Sequence, residues 1–162
     1  MDGSGNRSDA TTPNSVEARA VLAYHNLVRD SVAPAASAPL TPLTWDADLA
    51  AMAQMWADNC EFEHGGHGNY GQNLYAASGF TPMLVDAAKE WAWERRDFDY
   101  ATNTCTPGQD CGHYTQMVWS ATTQLGCGMA QCVNHNPIGK GPWSLVVCDY
   151  GPAGNFVGQR PY

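Results

Sequence analysis

The sequence predicts an α+β domain in which helices cover a small antiparallel sheet. Helical spacing of apolar residues dominates the first two-thirds of the chain, and β-type alternation dominates the last third. No internal repeat or low-complexity tract interrupts this order. At 162 residues the chain is long enough for one sizeable core, so it is expected to form a single domain.

The elements follow from punctuation and periodicity. Residues 1–14 are polar and read as a flexible tail, leaving 15–162 as the domain. From Ser15 to Asp30, Val16, Ala20, Tyr24, Leu27 and Val28 recur at helical spacing. The stretch SVAPAASAPLTPLT then breaks the pattern with three prolines and predicts an extended surface connection. Asp46 is placed to cap a second helix, whose stripe is Leu49, Met52, Ala53, Trp56 and Cys60. Gly65 to Gly71 predicts a flexible turn, and Thr81-Pro82 predicts the start of a third helix. There Met83, Ala87 and Trp91 are spaced by four, and Glu94 follows three later, so its carboxylate points with the apolar stripe while Glu90 and Arg95 diverge. Such a carboxylate needs a partner or a wet cleft unless it reaches solvent from the stripe's edge. In the last third Leu125, Cys127 and Met129 alternate with Gly126, Gly128 and Ala130, and Ser144–Tyr150 is apolar and β-branched. The loop VNHNPIGKGP closes these two strands into an antiparallel pair.

Charge narrows the function. Eight basic against 16 acidic residues give a net charge of −8, which argues against a nucleic-acid partner and against docking on anionic lipid. No apolar run approaches the roughly 18 residues of a membrane span. The cysteines Cys60, Cys105, Cys111, Cys127, Cys132 and Cys148 are even in number and none has C-x-x-C spacing. Three structural disulfides in an oxidising compartment explain them better than a thiolate metal site, and the spacings leave the pairing open. The start, MDGSGNRSDATTPNS, has no signal peptide, so secretion implies a targeting segment already removed.

Five histidines are candidates for chemistry. His25 lies on the first helix and reads as structural. His135 and His67 sit among asparagines and glycines and read as solvated. His64 is at the lip of the Gly-rich turn, and His113 opens CGHYTQMVW. Neither H-E-x-x-H nor G-x-S-x-G is present, and paired cysteines leave no thiol nucleophile.

Four segments carry a resemblance to the CAP superfamily, the cysteine-rich secretory, antigen 5 and pathogenesis-related class 1 proteins. HNLVR at 25–29 resembles H-N-x-x-R, and GQNLY at 71–75 resembles G-[E/Q]-N-L. GHYTQMVW resembles G-H-[FY]-T-Q-x-V-W, and CDYGPAGN resembles C-[ND]-Y-x-P-x-G-N. The likeness spans residues 15–162 and is closest to the pathogenesis-related class 1 branch.

The resemblance implies an α-β-α sandwich. It implies the pairs Cys60–Cys127, Cys105–Cys111 and Cys132–Cys148, and a central groove of His64, Gln72, Glu94 and His113. Gln72 stands where the family often has glutamate; it hydrogen-bonds but carries no charge, which weakens any mechanism needing paired carboxylates. His64 and His113 would hold an optional, weakly bound zinc, with Glu94 behind them or as a third ligand. The implied function is that of a secreted, monomeric protein binding a sterol or other lipid, in defence or interaction between organisms. Trp91, Trp93, Phe98 and Tyr100 are candidates for lining its site. Two alternatives accompany it: a zinc-dependent hydrolase, and a precursor releasing the C-terminal peptide 152–162.

Overall fold

The computed structural model describes residues 15–65 and 68–162. The tail expected over 1–14 and the turn residue His67 lie outside the described residues. Chain order is α1 (Val16–Asp30), β1 (Thr44–Trp45), α2 (Ala47–Asp58), β2 (Gly71–Ser78), α3 (Leu84–Trp93), a 3₁₀ turn (Glu94–Asp97), β3 (Phe98–Asp99), β4 (Thr104–Cys105), α4 (Gly112–Met117), β5 (Gln124–Cys132) and β6 (Trp143–Gly151). The main sheet has the order β1-β5-β6-β2; β6 is antiparallel to both neighbours, and the short β1 runs parallel to β5. A separate hairpin joins β3 to β4.

Strand alternation divides the interior into two cores. Leu125, Cys127, Val146, Cys148 and Tyr150 face α1, α3 and α4, whereas Ala130, Cys132, Trp143, Leu145 and Val147 face α2. The expected sandwich, with helices on both faces, is therefore present. The α2 layer sits close because both partners are small. The helix buries Ala50, Ala53 and Ala57, with Leu49, Met52 and Trp56 at the flanks. A Cβ on Gly126 would lie 2.1 Å from the Ala50 nitrogen, and one on Gly128 would lie 2.6 Å from the Gln54 Cα. Asp46 caps α2 as expected, its Oδ1 accepting from the Leu49 N–H at 2.9 Å.

The buried face of α1 overlaps the apolar stripe only in part, at Val28 and the half-buried Tyr24. Val16 and Leu27 are exposed, and the helix instead buries Ala18, Val21, His25, Val28 and Arg29. Complete hydrogen bonding is what lets the two polar side chains sit inside. Arg29 donates to the carbonyls of Thr41, Met117, Trp119 and Thr122. His25 donates from Nδ1 to the Val21 carbonyl at 2.8 Å, and its Nε2 accepts from the Tyr150 hydroxyl at 2.7 Å. Asn26 clamps Leu43 through both backbone groups. His25, Asn26, Val28 and Arg29 of HNLVR are thus scaffold, and His25 is structural as expected.

Two further expectations are corrected, and one strand was not anticipated. The helix predicted from Thr81-Pro82 begins at Leu84, with the Met83 N–H satisfied by Asp86. β2 carries no sign in the periodicity, because as an edge strand its burial does not alternate. Two disulfides are also re-paired: Cys60 joins Cys132 and Cys127 joins Cys148, while Cys105–Cys111 is as expected. The cause is parity. Cys127 and Cys148 are directly opposite on β5 and β6 and share the α1 face, whereas Cys132 points to the α2 face, where the end of α2 brings Cys60. Cys132 and Cys148 lie on opposite faces of the sheet and cannot bond.

Candidate ligand groove

Glu94 and His113 are brought together by two short elements. The 3₁₀ turn after α3 presents the Glu94 carboxylate, and α4 presents the His113 imidazole. Oε2 of Glu94 accepts from His113 Nδ1 at 2.6 Å, and Oε1 accepts from the Tyr114 N–H at 3.0 Å. This answers the question of the carboxylate on the apolar stripe: it is half-buried and fully partnered. The Trp91 indole stacks on the imidazole at 6.0 Å and donates to the Leu74 carbonyl, tying α3 to β2. Asn73 donates to the His113 carbonyl and to the Tyr150 hydroxyl, linking α4 to the buried His25. Cys105–Cys111 staples the loop before α4 to the β3–β4 hairpin.

Asp110 completes a cluster that the motif reading missed. Its Oδ2 lies 3.9 Å from His113 Nδ1, and ligand atoms of Glu94, Asp110 and His113 lie within 4.8 Å of one another. The sequence held one sign of it, the D-x-x-H spacing of Asp110 and His113. One imidazole and two carboxylates suit a divalent metal such as zinc.

His64 and Gln72 form a second pair. Gln72 Oε1 accepts from the Gly65 N–H at 3.0 Å and lies 3.3 Å from His64 Nδ1. The Gln72 amide donates to Asp149 Oδ1 at 3.0 Å, directly across the β2–β6 ladder. Asp149 is 1% exposed, and its Oδ2 has no partner among the described residues. Burial pushes its pKa up from 3.8 to about 7, with the Gln72 hydrogen bond opposing. His64 is exposed and is not a member of the Glu94–Asp110–His113 cluster. His135, also exposed, pairs with Glu61 at 2.9 Å.

A groove of about 380 Å³ runs along the β2 edge beside this cluster. Leu74, Tyr75 and Trp91 form its apolar base, and the exposed Phe62, Trp93 and Ile138 form its rim. Glu90, Glu94, Asp97, Asp110, Arg96 and His113 supply its polar groups. Of the expected aromatic lining, Trp91 and Trp93 are present; Phe98 packs against Tyr114, and Tyr100 stacks on Tyr162.

This arrangement can be compared with known proteins. The sequence model of the cysteine-rich secretory protein family, CAP, matches residues 22–150. The chain belongs to this family. A pathogenesis-related protein PR-1 type from Sambucus nigra is 40% identical to this CAP protein, over 85% of this chain and 77% of its own length. Peptidase inhibitor 16 from Homo sapiens is also 40% identical, over 90% of this chain, which spans about a third of that protein's length (32%). A crystal structure of NaASP2 with Zn2+ superposes with a TM-score of 0.73 at 29% identity, covering 93% of this chain and 87% of that one. Within this CAP protein the signature segments divide their labour. HNLVR and the glutamine of GHYTQ are structural: Gln116 bonds the Gly154 N–H and the Thr122 hydroxyl, and leaves no space for a side chain at Gly71. The histidine of GHYTQ faces the groove.

Proposed function

We propose that this CAP protein is a secreted, monomeric, pathogenesis-related class 1-like protein that holds an apolar ligand of sterol or lipid type in the β2 groove. Its context is defence or interaction between organisms. The observation that carries the reading is the groove itself: exposed Phe62, Trp93 and Ile138 rim an apolar base in a concavity of the volume that encloses small ligands. Three disulfides, which use all six cysteines, support an oxidising compartment. No helix among the described residues is long and apolar enough to cross a membrane.

Zinc is proposed as an optional companion at His113, with Glu94 and Asp110 as its oxygen donors. When bound it would supply a fixed positive charge at the polar end of the groove. His64 contacts Gln72 through Nδ1, which leaves its Nε2 as the atom that would ligate. The C-terminal segment 152–162 is read as structure rather than as a released peptide. Ser120 bonds the Pro161 carbonyl, Arg160 bonds two carbonyls of the β3–β4 hairpin, and Tyr100 bonds the Tyr162 carbonyl. The test is energy transfer from tryptophan to dehydroergosterol. Saturable transfer that Trp93→Ala and Phe62→Ala weaken is expected; transfer no greater than to an unrelated acidic protein would reject the reading.

A further inference from the structure

The groove's apolar walls are matched with an unbalanced polar end. Arg96 and Asp97 neutralise each other at 3.2 Å. Apart from that pair, the carboxylates of Glu90, Glu94 and Asp110 line the ligand space together with the His113 imidazole. Glu90 is exposed and makes no hydrogen bond or ion pair with any described residue. Asp110 is largely solvent-facing, its Oδ1 engaged only by the Gly112 N–H. The rim also holds a cation over an aromatic face. The Arg96 guanidinium carbon sits 5.0 Å from the centre of the Trp93 ring, which is 57% exposed.

From this juxtaposition we propose that the groove, when no metal holds its carboxylates, selects cationic amphiphiles: ligands whose apolar body lies on Leu74, Tyr75 and Trp91, and whose ammonium group sits among Glu90, Glu94 and Asp110. The inference rests on the apolar-ligand reading of the same groove and narrows it. A neutral alcohol gains only the apolar contact. An ammonium adds Coulomb attraction to three carboxylates. A carboxylate or phosphate headgroup meets repulsion at the same end, in a chain whose net charge is −8.

The experiment compares three ligands with one tail, decylammonium, decanol and decanoate, by calorimetry at pH 7.5 and low salt in a metal-chelating buffer, below their aggregation limits. The expected order is amine, alcohol, acid, with the amine about tenfold tighter than the alcohol. In Glu90→Gln/Asp110→Asn the ratio of amine to alcohol affinity, taken within that variant, falls towards one. Both side chains are on the surface, and circular dichroism checks the variant's fold. If the parent binds all three equally, the selectivity is overturned and the apolar-ligand reading stands. If the ratio persists in the double variant, the ammonium lies elsewhere and the assignment is overturned. If none of the three binds, the groove reading fails and the selectivity with it.

Discussion

Asp149→Asn tests the electrostatics of the β2–β6 ladder through stability alone. The Asp149 carboxyl is buried on β6 with one oxygen bonded to Gln72 and the other unpartnered. Its folded pKa of about 7, against an ordinary 3.8, means that the folded chain holds this proton more tightly than the unfolded chain. Stability from this group is therefore complete at low pH and is lost as pH rises from about 4 through about 7. The full loss is about 4 kcal/mol. Asparagine keeps the shape and the acceptor for Gln72, and never ionises. The substitution is expected to be near neutral at pH 4 and to stabilise by about 3–4 kcal/mol at pH 8. Urea denaturation at the two pH values reads this directly.

His25 provides the internal control. Its folded pKa is lowered to about 4, chiefly by burial, so its contribution is complete above about 6.5 and is lost as pH falls towards 4. The two slopes oppose each other in the parent between pH 4 and 7. Removing Asp149 exposes the His25 slope, so the variant's stability should rise with pH where the parent's is nearly flat. Parallel pH profiles for parent and variant would refute the reasoning.

Three other outcomes are expected. Peptide mapping of the oxidised protein should recover Cys60–Cys132 and Cys127–Cys148; replacing Cys60 and Cys132 by serine should cost about 2–5 kcal/mol, and an unchanged denaturation midpoint would contradict this. Gly128→Ala places a methyl against the α2 backbone at Gln54 and should destabilise by about 3 kcal/mol; a loss under about 1 kcal/mol would mean that α2 packs further from the sheet. Zinc calorimetry at pH 7.5 should show affinity of about micromolar or weaker, abolished in His113→Ala and reduced about tenfold in Asp110→Asn; a parent-like isotherm in His113→Ala would move the metal elsewhere.

The architecture was legible where one period and one cap dominate, as in α2 with Asp46 or the strand pair β5 and β6. It was not legible where burial is polar or tertiary. The inner face of α1 is set partly by His25 and Arg29, whose distant partners are the Tyr150 hydroxyl and the carbonyls of Met117, Trp119 and Thr122, so an apolar stripe locates only part of it. The edge strand β2 has no alternation to detect. Disulfide pairing depended on the face each cysteine takes in the β5–β6 register, which cysteine spacing alone does not carry. At the site, Glu94 was legible because a carboxylate on an apolar stripe demands a partner. Asp110 was not, because its proximity to Glu94 arises from the fold of the loop that Cys105–Cys111 fixes.

The most direct test of the groove as the ligand site is amide and indole NMR mapping of the ¹⁵N-labelled protein as ergosterol is delivered from cyclodextrin, against cyclodextrin alone. The largest shifts are expected at the Leu74, Tyr75 and Ala76 amides of β2 and at the Trp93 indole N–H. Shifts confined to the Pro39–Thr41 loop and Tyr162, which line a separate cavity of about 230 Å³, would contradict this, as would no shifts at all.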